Sequence, residues 1–452
     1  MRAAGVADVA IDTFAQQLER LRAGETGVLA EAEIEPAATL PDADELPADD
    51  AGTRAALDRT VVIKLNGGLG TSMGMTAPKS LLEVKDGLTF LDITVRQILD
   101  LRARTGARLP LVLMNSFATR DASLAALARY DELPVAGVGA DFVQSKAPKL
   151  DAATLEPVSW PADPGLEWAP PGHGDLYASL QSSGMLRALL DAGYDHAFVA
   201  NADNLGAVME PRILAWFARE EIPFLMEVAD RTPADRKGGH LAQRAGGGLV
   251  LREVAQTPDE DLGAFQDIGR HRFFNTNTLW IDLRALAAIL DERGGVLGLP
   301  MIVNRKTVDP GDAGSTPVIQ LETAMGAAID VFDGARAIRV PRTRFAPVKT
   351  TNDLLALRSD AYVLHGDGRI AVAPERDGAG APLVELDGAH FKLLRDFDAR
   401  FPAGAPSLVG CERLTVHGDV TFGAGVVVRG AVTVEQGDDG PRRIADGAVL
   451  GA

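Results

Sequence analysis

The sequence predicts an α/β protein built on a mixed, mostly parallel sheet, with a short parallel β-helix at its C-terminal end. Three observations carry this. Apolar runs of strand length recur between residues 61 and 340, with helical patterns between many of them. The first of these runs, 61–63, opens directly into a loop with glycines at 67, 68, 70 and 74. Near the end, Leu414, Val420, Val426 and Val432 stand six apart, as do Val416, Phe422, Val428 and Val434. A paired period of six is the pattern of a parallel β-helix, here about four rungs long.

In order, residues 1–25 read as one amphipathic helix, because Ile11, Phe14, Leu18 and Leu21 recur at spacings of 3, 4 and 3 and Gly24 can end it. Residues 31–50 are acidic and carry prolines, a composition that reads as a linker with solvated charges. Strands are expected at 61–63, 81–84, 111–114, 142–143, 196–200, 223–228, 248–254, 278–281 and 337–340. Helices are expected at 176–192, 212–219 and 320–332, and another after Thr89, which is placed to cap it. The resulting division is 1–55 for the N-terminal helix and linker, 56–358 for a catalytic domain and 359–452 for the C-terminal domain.

Composition removes several classes of function. Of 452 residues, 46% are apolar and 24% charged, as in ordinary globular proteins. The charge balance of 45 − 63 = −18 disfavours non-specific binding to nucleic acid or an anionic membrane. A lone cysteine, Cys411, excludes an intrachain disulfide and a thiolate zinc site, and the seven scattered histidines offer no metal pair at helical spacing. No segment approaches the roughly 18 apolar residues that span a bilayer, and Asp8 interrupts any leader-like run. A cytoplasmic location is expected.

The loop after 61–63 fits neither standard nucleotide motif: Gly74 is not followed by a lysine, and the glycine spacing is G-x-G-x-x-x-G. What remains is a strand, an anion-binding glycine loop and Lys79 behind Pro78. His173 stands between Gly172 and Gly174, with room to reach a ligand. Asn201, Asp203 and Asn204 follow an apolar strand at its carboxyl end, where Asp203 suits a Mg²⁺ ion bridging phosphates. Arg339, Arg342, Arg344 and Lys349 gather positive charge in an acidic chain, and Lys349 can face Lys79 across a cleft. Two separated cations, a glycine loop and a strand-end acid describe metal-assisted phosphate chemistry.

The segments KLNGGLGTSMG (64–74), PKS (78–80), LMNSFATRD (113–121), PPGHGDLYASL (170–180), ANADNLGA (200–207), MEVADRTPADRKGGHL (226–241), FNTNTLWI (274–281), IVNRKT (302–307), VIQLETAMGAAI (318–329) and VPRTRFAPVKTTNDLL (340–355) together resemble the eukaryotic-type UTP-glucose-1-phosphate uridylyltransferase family. LTVHGDVTFG (414–423) resembles that family's C-terminal β-helix, and the match runs in order over roughly 55–435. The resemblance implies a Rossmann-like, glycosyltransferase-A-like central domain, a left-handed C-terminal coil, Mg²⁺ as cofactor, and a reaction of UTP with glucose 1-phosphate giving UDP-glucose and pyrophosphate. It further implies Leu65, Asn66, Gly67, Gly68, Lys79, Gln144, Gly172 and Asp203 on the UTP side, with Asp203 as metal ligand. On the sugar-phosphate side it implies His173, Asn201, Glu227, Gly239 with the turn before it, Asn275, Asn277 and Lys349, with Lys349 and Lys79 catalytic. The family commonly has C-K-G before P-K-S, where this chain has Met75, Thr76 and Ala77. A homo-oligomer through the β-helix is a further expectation. The alternatives are a UDP-sugar pyrophosphorylase of broader specificity and a catalytically silent UDP-sugar-binding regulator.

Overall fold

The computed structural model describes every residue from 1 to 451 except 38, 49, 377, 438 and 439. Ten strands form the main sheet: β1 (Ile34–Pro36), β2 (Thr60–Asn66), β3 (Leu111–Asn115), β4 (Asp141–Val143), β5 (His196–Asn201), β6 (Phe224–Asp230), β7 (His240–Arg244), β8 (Leu249–Arg252), β9 (Phe273–Asp282) and β10 (Arg336–Arg339). The order along the sheet is β1-β7-β9-β5-β2-β3-β4, with β6 between β9 and β10, and β8 on β7. One half is parallel, β5 on β2, β2 on β3 and β3 on β4. In the other half β9 runs antiparallel to β5, β6 and β7.

The parallel half is covered on both faces. Val61, Ile63, Val112, Met114, Ala197 and Val199 enter one apolar core, while Val62, Leu111, Leu113, Phe198 and Ala200 enter the other. Successive strand residues point to opposite faces, so a continuous apolar run supplies both cores at once. Phe90–Thr105 covers one face, and Thr89 starts it by accepting from the Asp92 amide while the Asp92 carboxylate accepts from the Thr89 amide.

Three expectations are corrected. Residues 176–192 form two helices, Leu176–Ser182 and Met185–Asp191, broken at Gly184 with φ 77°. The expected helix at 320–332 is a strand, Pro317–Thr323, paired with Met301–Thr307, and a 3₁₀ segment, Met325–Asp330. The acidic stretch is a docked strap: β1 pairs with β7, Glu31 bonds Arg252, Arg270 and His271, and Asp42 pairs with Arg339. Glu31 and Asp42 are paired with basic groups more than two hundred residues away, which composition alone does not reveal, while Glu35, Asp44 and Glu45 are exposed as expected.

At the C-terminal end Cys411–His417 lies parallel between Leu383–Leu386 and Gly430–Glu435. Val420–Phe422 lies parallel to Arg442–Ile444, and Val427–Val428 to Val449–Leu450. Leu414 faces Val432 and Val416 faces Val434, eighteen residues on, which is three of the six-residue units. The aromatic rings of Phe391, Phe397, Phe401 and Phe422 link this coil to its flanking helices. A single apolar cluster then runs from the coil to Met73, Phe90 and Leu205 of the main domain.

Candidate active site

Strands β2, β3 and β5 all end at one rim, at Asn66, Asn115 and Asn201. The glycine loop leaves β2 there. Ser116 donates to the Gly67 carbonyl (2.9 Å), and the Lys79 amide donates to the Gly68 carbonyl (3.0 Å), folding the loop back on itself. Lys79 Nζ thereby reaches Asp203 Oδ2 at 2.7 Å, at the end of β5. Both side chains are largely covered, 17% and 22% exposed, so this pair lies in the cleft wall rather than in open solvent. The Gln144 amide sits over Gly67, where a Cβ would approach it to 2.8 Å. Gly172 has φ 81°, and a Cβ there would lie 2.4 Å from the Thr323 carbonyl, so only glycine fits that crossing. Asn66 is placed differently from expectation. Its amide donates to Asn115 Oδ1 (2.7 Å) and Ser123 Oγ (2.8 Å), so the side chain is locked into the protein and only its backbone faces the loop.

The opposite wall is assembled from distant segments. His173 Nδ1 accepts from the Met325 amide (2.9 Å), which assigns the ring proton to Nε2. Burial pushes its pKa down to about 4, so at neutral pH it is an uncharged donor. Asn275 and Asn277 belong to a bulge where the β6–β9 register shifts, and Asn277 has φ 56°. The Asn277 amide donates to Asn275 Oδ1 (2.9 Å), and the Asn275 amide donates to the Gly239 carbonyl (3.0 Å). Gly239 in turn faces the Glu253 carboxylate, 2.5 Å from where a Cβ would stand. Burial pushes the Glu253 carboxyl up to about 7, and the charge of Lys349 opposes that rise. Lys349 is exposed, with Nζ 5.7 Å from the Phe345 ring centre. The Val348 amide donates to the Asp203 carbonyl (3.4 Å), which ties the Lys349 segment to the acid of the first wall.

Of the four gathered cations, Arg339, Arg342 and Arg344 are paired with Asp42 and Asp230, with Asp235 and with Glu227. Among the described residues no carboxylate lies within ion-pair distance of Lys349. Glu227, expected on the sugar side, is fully buried. It accepts from Arg344 Nε (2.8 Å) and Nη2 (2.6 Å) and from Trp280 Nε1 (2.9 Å), so its oxygens do not reach the cleft. Two further residues escaped the sequence reading. Glu253 is one. The other is Lys64, whose ammonium donates to the Ala207 carbonyl (2.9 Å) beneath the Asp203 loop; burial, then Arg344, pulls its pKa to about 7.

A family model for UTP-glucose-1-phosphate uridylyltransferase matches residues 11–429. The chain is similar to the protein of that name from Solanum tuberosum, 44% identical over 409 residues covering 90% of this chain and 83% of the relative. The barley (Hordeum vulgare) protein of the same name is 43% identical over 89% of this chain and 83% of its own length. A mutant UDP-glucose pyrophosphorylase from Leishmania major in complex with UDP-glucose superposes with a TM-score of 0.92 at 48% identity, over 99% of this chain and 96% of that one.

Proposed function

The chain belongs to the UTP-glucose-1-phosphate uridylyltransferase family, and we propose that it transfers the uridylyl group of UTP to glucose 1-phosphate, giving UDP-glucose and pyrophosphate. One observation of the site supports this most directly: Lys79 is ion-paired to Asp203 at the strand ends, and the Val348 amide donates to the Asp203 carbonyl, which brings the Lys349 segment to the same place. A phosphate oxygen of glucose 1-phosphate attacks the α-phosphorus of UTP in line. The bond from that phosphorus to the bridging oxygen breaks, and pyrophosphate leaves with the electron pair. The nucleophile is already ionised, so no side chain has to take a proton; the difficulty is bringing two polyanions together.

On this reading Gln144 and the backbone at Leu65, Asn66, Gly67, Gly68 and Gly172 hold the nucleoside. Lys79 takes the departing phosphates, and Lys349 neutralises charge at the α-phosphate. His173 donates from Nε2 to the sugar phosphate. Asn201, Gly239, Asn275, Asn277 and Glu253 meet the hexose. Asp203 would hold Mg²⁺. It fits such an ion: one carboxylate at a strand end, no cluster of three ligating side chains among the described residues, and phosphates to complete the shell. When bound, the ion would neutralise phosphate charge. We further propose the 1–55, 56–358 and 359–452 division, a left-handed β-helix for the terminal coil, assembly through that coil and a cytoplasmic location; no helix among the described residues is long and apolar enough to cross a membrane.

Pyrophosphate release measured with UTP, Mg²⁺ and glucose 1-phosphate tests the reading, with galactose 1-phosphate and N-acetylglucosamine 1-phosphate beside it. Turnover at least tenfold faster with glucose 1-phosphate is expected. Equal rates would favour a broad UDP-sugar enzyme, and UDP-glucose binding without turnover would favour a regulator.

A further inference from the structure

We propose that Glu227 and Arg344 are positioning residues for the transfer step, a buried clamp that sets where Lys349 and the Asn275–Asn277 bulge stand relative to Asp203. The inference rests on the reaction proposed above. Glu227 lies in β6 at the point where the β6–β9 register shifts. Its carbonyl accepts from Thr276 Oγ1 (2.8 Å), inside the bulge, and its carboxylate accepts from Trp280 of the same strand, β9. One residue thus bonds both the bulge and the regular strand beyond it. The same carboxylate takes two bonds from Arg344, which begins the segment leading to Lys349.

From Arg344 the connection continues to the acid. The Arg344 carbonyl accepts from Asn204 Nδ2 (3.1 Å), and Asn204 Oδ1 accepts from the Ala346 amide (3.0 Å). Gly206 packs so closely on this segment that a Cβ would lie 2.5 Å from the Thr343 carbonyl. Asp203 and Lys349 are therefore held on backbones stitched side by side, and the Glu227–Arg344 pair is a buried side-chain anchor of that stitch in the sheet, beside the Val340–Val228 backbone bond. Neither side chain of the pair touches the cleft. A buried ion pair is a poor source of net stability compared with apolar packing. Its use here is geometric: two bonds between a planar guanidinium and a carboxylate fix direction as well as distance.

The test is Glu227→Gln, which keeps shape and removes the charge, with Arg344→Lys, which keeps charge and removes the fork. For each, kcat and KM are measured for both substrates, and amide hydrogen exchange is compared between 342–350 and β2. Misplacing a catalytic group by about 1 Å can cost about a hundredfold in rate, so kcat should fall between about tenfold and a hundredfold. The KM for UTP should change less than about threefold, since the UTP wall is built on other strands. Exchange at 342–350 should rise while β2 stays protected. A fall in kcat without the local rise, a local rise without the fall, or an equal rise in β2 would each overturn the proposal. If wild-type protein makes no pyrophosphate, the reaction assignment falls, and the exchange comparison alone decides the clamp. Should Glu227→Gln fail to fold, Arg344→Lys carries the same comparison.

Discussion

The two walls of the cleft are made in different ways. The wall proposed for UTP is contiguous: β2 runs into the glycine loop, the loop into Lys79, and the neighbouring parallel strands bring Asp203 and Gln144 alongside. Its geometry is mostly backbone geometry. The wall proposed for the sugar phosphate gathers residues 173, 239, 253, 275, 277 and 349 from the antiparallel half and beyond, and buried side-chain bonds hold them. A wall made of backbone conformation should lose binding locally when one side chain is removed. A wall made of long-range pairs should lose alignment.

The largest effects should come from the two lysines. Lys349→Ala and Lys79→Ala are each expected to lose at least about a hundredfold in kcat/KM, the size of a lost electrostatic stabiliser. The comparison sharpens if Lys79→Ala raises the KM for UTP while Lys349→Ala acts on kcat; identical kinetic signatures would break it. Next, because the Lys79 ammonium is ion-paired to Asp203 and competes with a cation there, Lys79→Met should bind Mn²⁺ without UTP at least about tenfold more tightly than wild type, a change of about 1.4 kcal/mol. Titration followed by electron paramagnetic resonance reads this, and equal affinities would show that the pair is no barrier. Glu31→Ala removes a partner of the fully buried Arg252 and should cost about 2 kcal/mol, seen as a lower Tm. An unchanged Tm would return the strap to the status of a linker.

The last effect concerns pH. The Glu253 carboxyl sits at about 7 in the folded chain against an ordinary 4.5, so the folded state holds that proton more tightly than the unfolded state. Its stabilising contribution is complete below 4.5 and is lost as pH rises to 7. Glu253→Gln should therefore lose less Tm than wild type across that window. Parallel Tm profiles would place Glu253 outside the buried wall.

The same contrast explains what could be read from the sequence. An apolar run followed by glycines and a lysine is a local message, and the rule that ligands sit at strand ends added Asp203. The parallel pairing near the C-terminal end follows the repeat of six, since partners stand three repeats apart. Glu227 was misplaced, although β6 carried a signal: a carboxylate within the otherwise apolar FLMEVA must find a buried partner. Which arginine would supply it is a matter of tertiary packing 117 residues away. Glu253 had no local signal at all, since its relation to Gly239 exists only once β7 and β8 pair.

The strap has one more consequence. β1 is only three residues long, carries Glu35 and ends in Pro36, and it covers the outer side of β7. It therefore closes the end of a ten-stranded sheet with a strand that offers a newcomer little to pair with. A chain beginning after residue 45 would keep every cleft residue and expose the edge from Ala242 to Arg244. Its characteristic failure would be self-association through that edge, which makes the acidic strap a solubility element as much as a structural one.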